Sequence, residues 1–349
     1  MALADEVYHS QHYKEKEKKK KKKKSFSEAF IPHRGDSGQE IAGKVFSLFA
    51  LLVLVVCIIV LIIYFYHQFE AKQNNDKLNV IYSNAAGNSQ SIGNEAVTLP
   101  PENTDDIPEE ERPPLVRSEA AEEMLAINPD YVGYISIPDV LGEPIVQRDK
   151  SYYLKHNFYD QVRSVGTVFA DPSNVINDYS DKQSSNIILY GHNNRDGSMF
   201  GNLDYYKWDL KYWLQNPFIY FDNYYENYTY VIISSFVVNT LPEHDDGNVF
   251  DYINFINFRD SGAYTFENYK KEITTRSQFI TGIDFDENDK YLTLSTCAYE
   301  WDEARHVVIA RRLRPGETTE NIDTTGFYVN QNPKWPAIYY KFNGGSYIE

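Results

Sequence analysis

The chain is nearly without cysteine. Of its 349 residues only Cys57 and Cys297 are cysteines. Cys57 sits inside an uncharged apolar run and Cys297 far beyond it, so the two cannot pair and the fold must hold through its core, without a disulfide. Basic charge is scarce too. Lys and Arg number 34 against 50 Asp and Glu, a formal net charge of −16. Residues 1–44 carry 10 Lys and 1 Arg against 7 acids, a balance of +4 that leaves about −20 for everything after them. So acidic a remainder is a poor surface for nucleic acid. There is no internal repeat, and the acidic clusters lack convincing ligand spacing. Asp284, Asp286, Glu287 and Asp289 read as a solvated turn, as does His244 among Glu243, Asp245 and Asp246. Neither a metal nor a cofactor is expected.

One long apolar run is present. Val45 to Tyr66 gives 22 residues without a charge, enough helix to cross a hydrocarbon core of about 30 Å. The run exceeds the roughly 7–15 apolar residues of a cleavable signal, and a polar exit follows it. It reads as a membrane signal anchor. The unbroken lysines Lys18 to Lys24 precede it, which places residues 1–44 in the cytoplasm as a basic tail facing the anionic inner leaflet. Everything after residue 66 is then extracellular. An exported thiol with no partner is open to oxidation, so Cys297 is poorly explained as a bystander.

Residues 67–117 are rich in Asn, Ser, Gly, Pro and acids and read as a solvated stalk. The globular domain is expected over residues 118–314. It opens with a helix from Glu119 to Ile127, closed by Asn128-Pro129. Eight short strand-like stretches follow, at Tyr131–Ile137, Glu143–Gln147, Val165–Ala170, Asn186–Tyr190, Phe218–Phe221, Tyr228–Val238, Tyr291–Thr296 and His306–Leu313. A helical stretch lies near Tyr205–Leu214 and another near Tyr264–Arg276. This pattern predicts a mainly β fold, a closed antiparallel or mixed barrel. The acidic and aromatic tail, residues 315–349, either packs back on the barrel or hangs free.

Cys297 directly follows the seventh stretch and Arg305 directly precedes the eighth. A thiolate is the reactive form of cysteine, and a nearby cation favours it. His192 stands where the fourth strand gives way to a loop, a position that often carries function. Singly, these are a small buried hydrophobe, a solvated ring and a surface charge. Together, three strand ends can bring a nucleophile, a proton carrier and an oxyanion partner to one barrel rim.

Thr293-Leu294-Ser295-Thr296-Cys297, Leu189-Tyr190-Gly191-His192 and Arg305 before a β-branched run resemble the three signatures of the sortases. These are membrane-anchored cysteine transpeptidases of Gram-positive bacteria. The likeness is strongest to class B. It rests on Asn128 to Tyr134 with the preceding helix, Gly197 to Phe200, Asn216 to Phe221 and the long segment from Val238 to Tyr291. The resemblance implies an eight-stranded sortase-type barrel with an N-terminal helix and a helix between strands six and seven, in an insertion that helps form the substrate groove. It implies that Cys297 cleaves a C-terminal sorting motif, LPXTG-like or NPXTN-like, of an exported protein. A thioester forms and an amine of the peptidoglycan precursor resolves it. His192 would move the protons, and Arg305 would hold the oxyanion and substrate. Thr296 and Tyr190 are further candidates for substrate contact. A pilin-polymerising enzyme and a non-catalytic surface binding module remain as alternatives. The Asp-Pro-aromatic lid of pilus-building class C enzymes has no counterpart between Glu70 and Arg117. Papain-like hydrolases place Cys before His, the reverse of the order here.

Overall fold

The computed structural model describes residues 30–87 and 111–345, so the lysine block lies outside the described residues. Residues up to His67 and those from Gln68 onward form two separate compact units. Helix α1 covers Gly38–Gly87. Among the described residues it is the one helix long and apolar enough to cross a membrane. Between Val45 and Tyr66 its large apolar side chains are nearly all exposed, as lipid-facing side chains must be.

In the second unit the end of α1 departs from the expected solvated stalk. It stays helical to Gly87 and buries Leu78, Tyr82 and Ala85. Their i, i+4, i+7 spacing aligns three apolar groups on one helix face, which composition averaged over the whole segment conceals. Tyr82 stacks on Tyr134 with ring centroids 3.8 Å apart and donates to the Asp222 carboxylate. Arg163 donates twice to Glu70, at 3.1 Å each. Further along, Arg112 pairs with Asp181 at 2.8 Å, so the last residues assigned to the stalk also lie on the domain. Residues 88–110 fall outside the described residues.

Helix α2, Glu119–Ile127, matches its expected bounds because its caps are written in the sequence. Ser118 Oγ accepts from the Ala121 N–H at 3.1 Å, and Asn128 closes the other end. The strands are β1 Tyr131–Ile137, β2 Leu141–Val146, β3 Val168–Ala170, β4 Asn186–Tyr190, β5 Phe218–Asp222 and β6 Asn227–Asn239, with the short helix α3, Leu210–Gln215, before β5. The region expected as one helix near Tyr205 is instead a 3₁₀ turn, Gly201–Lys207, followed by α3. Beyond β6 come helix α4, Phe266–Arg276, the two-residue strand β7, Phe279–Ile280, then β8 Tyr291–Cys297 and β9 Ala304–Arg312. Last are β10, Tyr328–Val329, and helix α5, Ala337–Asn343.

Eight strands close a barrel in the order β1-β2-β3-β4-β8-β9-β6-β5. The β2–β3 and β4–β8 pairs are parallel and the others antiparallel. The barrel is the mainly β architecture expected, with β8 as its seventh strand because β7 lies outside it. Alternate residues fill the lumen, among them Ile135, Leu189, Leu292, Leu294, Val308 and Ala310. The opposite faces of β6, β8 and β9 carry a second cluster, in which Phe250, Tyr252, Phe255, Tyr269 and Ile273 of the β6–β8 insertion cover Tyr291, Val307 and Ile309.

The tail packs back. β10 pairs with β7, and the Lys334 N–H donates to the Thr275 carbonyl at 2.8 Å. Trp335 stacks on Tyr339 and joins a cluster with Ala298, just after β8, and Ala304, the first residue of β9. Two loops expected to be solvated are in fact bound by basic side chains. Arg314 donates to Asp289 at 2.7 Å and reaches Asp284 and Asp286. Asp245 is buried, accepts from the Ala337 N–H at 2.9 Å and faces Arg276. Both loops carry paired acids because distant arginines and a helix start reach them, which local composition does not disclose.

Candidate active site

The pleat builds the site. In the parallel β4–β8 pair Tyr190 lies opposite Ser295, and the Gly191 N–H still donates to the Ser295 carbonyl at 3.2 Å. Continuing that register sets His192 beside Cys297. In the antiparallel β8–β9 pair Cys297 lies opposite Arg305. Residues 190 and 192, 295 and 297, and 305 and 307 share one parity, so all point to the outer face. His192, Cys297 and Arg305 therefore stand in a row on three adjacent strand ends, with strands about 4.8 Å apart. The Cys297 thiol is exposed.

Each member has a fixed neighbour. His192 Nε2 lies 3.0 Å from the Leu154 carbonyl, which as a pure acceptor selects the tautomer protonated at Nε2 and leaves Nδ1 as the acceptor nitrogen. Gly166 holds φ +70, and a Cβ there would come within 3.2 Å of His192 Cδ2. Glycine lets the 151–166 loop close against the imidazole. Arg305 Nη2 donates to Glu303 at 2.9 Å and Nη1 to the Ala304 carbonyl at 2.9 Å, which orients its planar head. Glu303 itself is a non-glycine residue at φ +59.

The insertion supplies the opposite side. Tyr252 donates to, or accepts from, Ser295 Oγ at 2.6 Å, one pleat below Cys297. Burial raises its hydroxyl pKa above the ordinary value, with Ser295 hydrogen bonding and the Arg305 charge opposing the rise. Sequence reasoning missed Tyr252, since nothing local links it to a cysteine so far along the chain. It also missed Asn193, whose Nδ2 donates to the Cys297 carbonyl at 2.8 Å; adjacency to His192 was the available signal.

The two weaker candidates divide. Tyr190 is on the outer face and donates to Asp171 Oδ2 at 2.9 Å. Desolvation, then Asp171, lifts its hydroxyl well above the usual range. Thr296, expected to touch substrate, is turned inward instead. It is 2% exposed and donates to the Gly191 carbonyl at 2.7 Å. Its parity, opposite to that of Cys297, makes it a tie between β8 and β4. Beneath the row, His306 is fully buried, with Nε2 2.8 Å from Ser235 Oγ. Burial, and then Lys207, press its pKa well below the ordinary value, so it is a neutral core residue. Among the described residues no group of three or more His, Cys, Asp and Glu side chains is placed to hold a metal ion.

The sortase domain family matches residues 167–313. Sortase B of Listeria monocytogenes is 31% identical over 190 residues, covering 54% of this chain and 71% of that protein. Sortase B of Staphylococcus aureus is 28% identical over 198 residues, covering 55% and 74%. The crystal structure of a Bacillus anthracis protein described as similar to sortase B superimposes with a TM-score of 0.52 at 26% identity, covering 70% of this chain and 96% of that one. The shared barrel, the identity and the extent of the match lead to one conclusion: the chain belongs to the sortase family as a class B sortase, a cysteine transpeptidase.

Proposed function

We propose that this enzyme cuts a C-terminal sorting motif, LPXTG-like or NPXTN-like, of exported proteins and joins the new carboxyl end to an amine of the peptidoglycan precursor. The observation that carries the reading is the row of His192, Cys297 and Arg305 on one outward face. Cys297 passes its thiol proton to His192 Nδ1, and the thiolate attacks the scissile carbonyl carbon to form a tetrahedral oxyanion. Arg305 donates to that oxyanion. As the intermediate collapses, the amide nitrogen leaves with a proton from His192 and a thioester remains. The incoming amine then attacks the thioester, loses its proton to His192 and expels the thiolate. No oxidant or metal enters this balance. The insertion with Tyr252 and the 151–166 loop with Leu154 supply the walls between which an extended peptide lies. With residues 1–44 cytoplasmic and residues 45–66 in the membrane, the catalytic domain is extracellular.

Incubating the detergent-solubilised full chain with a library of sorting-motif peptides and added amines tests this reading. Product carrying the amine, with one motif preferred, is expected; hydrolysis alone in every condition would refute transfer. Preference for a lysine-bearing pilin peptide over a peptidoglycan-type amine would reassign the acceptor to pilus assembly.

A further inference from the structure

We infer that Asn193 is a positioning residue that sets the distance between the His192 imidazole and the Cys297 thiol; this rests on the roles proposed above. The last backbone rung from this segment to β8 is the Gly191 N–H on the Ser295 carbonyl, one residue before His192, so no rung of the ladder holds the histidine itself. Asn193 replaces the missing rung. It is 6% exposed, and the two hydrogens of its Nδ2 go to the Cys297 carbonyl at 2.8 Å and to Asp204 Oδ1 at 2.9 Å. Its own carbonyl accepts from the Tyr299 hydroxyl at 2.7 Å, and an isolated bridge to Met199 pins its backbone. The loop carrying the histidine and the loop following the cysteine are thereby tied through one amide.

That amide is itself anchored. Asp204, its acceptor, pairs with Lys207 at 3.0 Å, and Lys207 pairs with Glu300 at 2.6 Å. Lys207 is buried, and Glu300 lies three residues beyond Cys297. The chain Cys297–Asn193–Asp204–Lys207–Glu300 therefore closes a ring that returns to the loop directly after β8. Only an amide fits the central position. A carboxylate there has no hydrogen for the Cys297 carbonyl and faces Asp204 with like charge, and a hydroxyl has one donor for two acceptors.

The test compares Asn193→Ala with the unaltered full chain on a sorting-motif peptide. Misplacement of a reacting pair by a fraction of an ångström to an ångström lowers kcat by about 10- to 100-fold. The KM for peptide should stay within about threefold, because Asn193 is not placed to touch the substrate. Turnover is normalised to the fraction of protein whose Cys297 is alkylated by iodoacetamide, and the pH dependence of that alkylation should shift as His192 moves. A lowered Tm with unchanged normalised kcat and unchanged alkylation profile would overturn the inference. Should Asn193→Ala fold poorly, the isosteric Asn193→Asp must show the same kcat-selective loss, and a normal kcat there would equally overturn it. Cys297→Ala separates the two readings. If it retains turnover, the nucleophile assignment falls; if it is dead while Asn193→Ala is normal, only the positioning role falls.

Discussion

Strand β8 has two faces with opposite uses. Leu292 and Leu294 point into the lumen and are fully buried. Ser295 and Cys297 point outward, where the insertion covers the first through Tyr252 and leaves the second exposed. The same seven residues thus serve as core and as the floor of the proposed site. Period-two alternation lets a rigid barrel present a reactive row without giving up a core position. β9 repeats the division, with Val308 and Ala310 inside and Arg305 outside.

The comparison predicts that changes on one face act on chemistry and changes on the other act on stability. Cys297→Ala should show the largest effect: no thioester by mass spectrometry and no peptide turnover, with Tm close to that of the parent. Arg305→Lys should follow, with kcat/KM lower by about 100- to 1,000-fold because a point charge does not reproduce the planar fork. Near-normal kinetics would remove Arg305 from the oxyanion role. Leu294→Ala, one strand position from the outer face, should cost roughly 2–5 kcal/mol in denaturant unfolding. Its kcat per folded molecule should stay within about threefold; a larger fall would mean that the two faces are not separable.

The smallest expected effect concerns pH. Burial pushes the Glu143 carboxyl up to about 8 from an ordinary value of 4.5, although the Met199 N–H opposes the rise. Burial likewise lifts Asp222 to about 6 from 3.8. A carboxyl that binds its proton more tightly when folded stabilises fully below its unfolded pKa and loses that contribution as pH rises through the folded value. Between about pH 4.5 and 8 the folded state holds more protons at Glu143, so this residue makes stability fall with rising pH. Glu143→Gln should flatten that part of the Tm profile, and an unchanged slope would show that Glu143 contributes little.

The barrel was legible because its strands are short, apolar and bounded by turn residues, and because α2 carries both its caps. The row of Cys297, His192 and Arg305 was legible through the local motifs around each residue. Side-chain direction was harder. Thr296 sits beside the cysteine in sequence yet faces the lumen, since adjacency on a strand reverses the face. Tyr252 and Asn193 depend on pairings that only the closed barrel brings together. The end of α1 escaped, and the tail was left open, for another reason. Their apolar residues are sparse and become meaningful only against surfaces contributed by distant strands.

The tail also gives the molecule a timetable. A chain is synthesised from its N-terminus, so its last residues emerge latest, at about 5–20 residues per second. β4 can gain its partner β8 once residue 297 is out, yet Trp335 and Lys334 must still arrive before the Ala298–Ala304 segment and the Thr275 carbonyl acquire their tail partners. The strand ends that bear the reactive row are thus in place before the loop joining two of them is braced. Residues 328–343 can therefore brace the β8–β9 connection only after the strands carrying Cys297 and Arg305 have emerged.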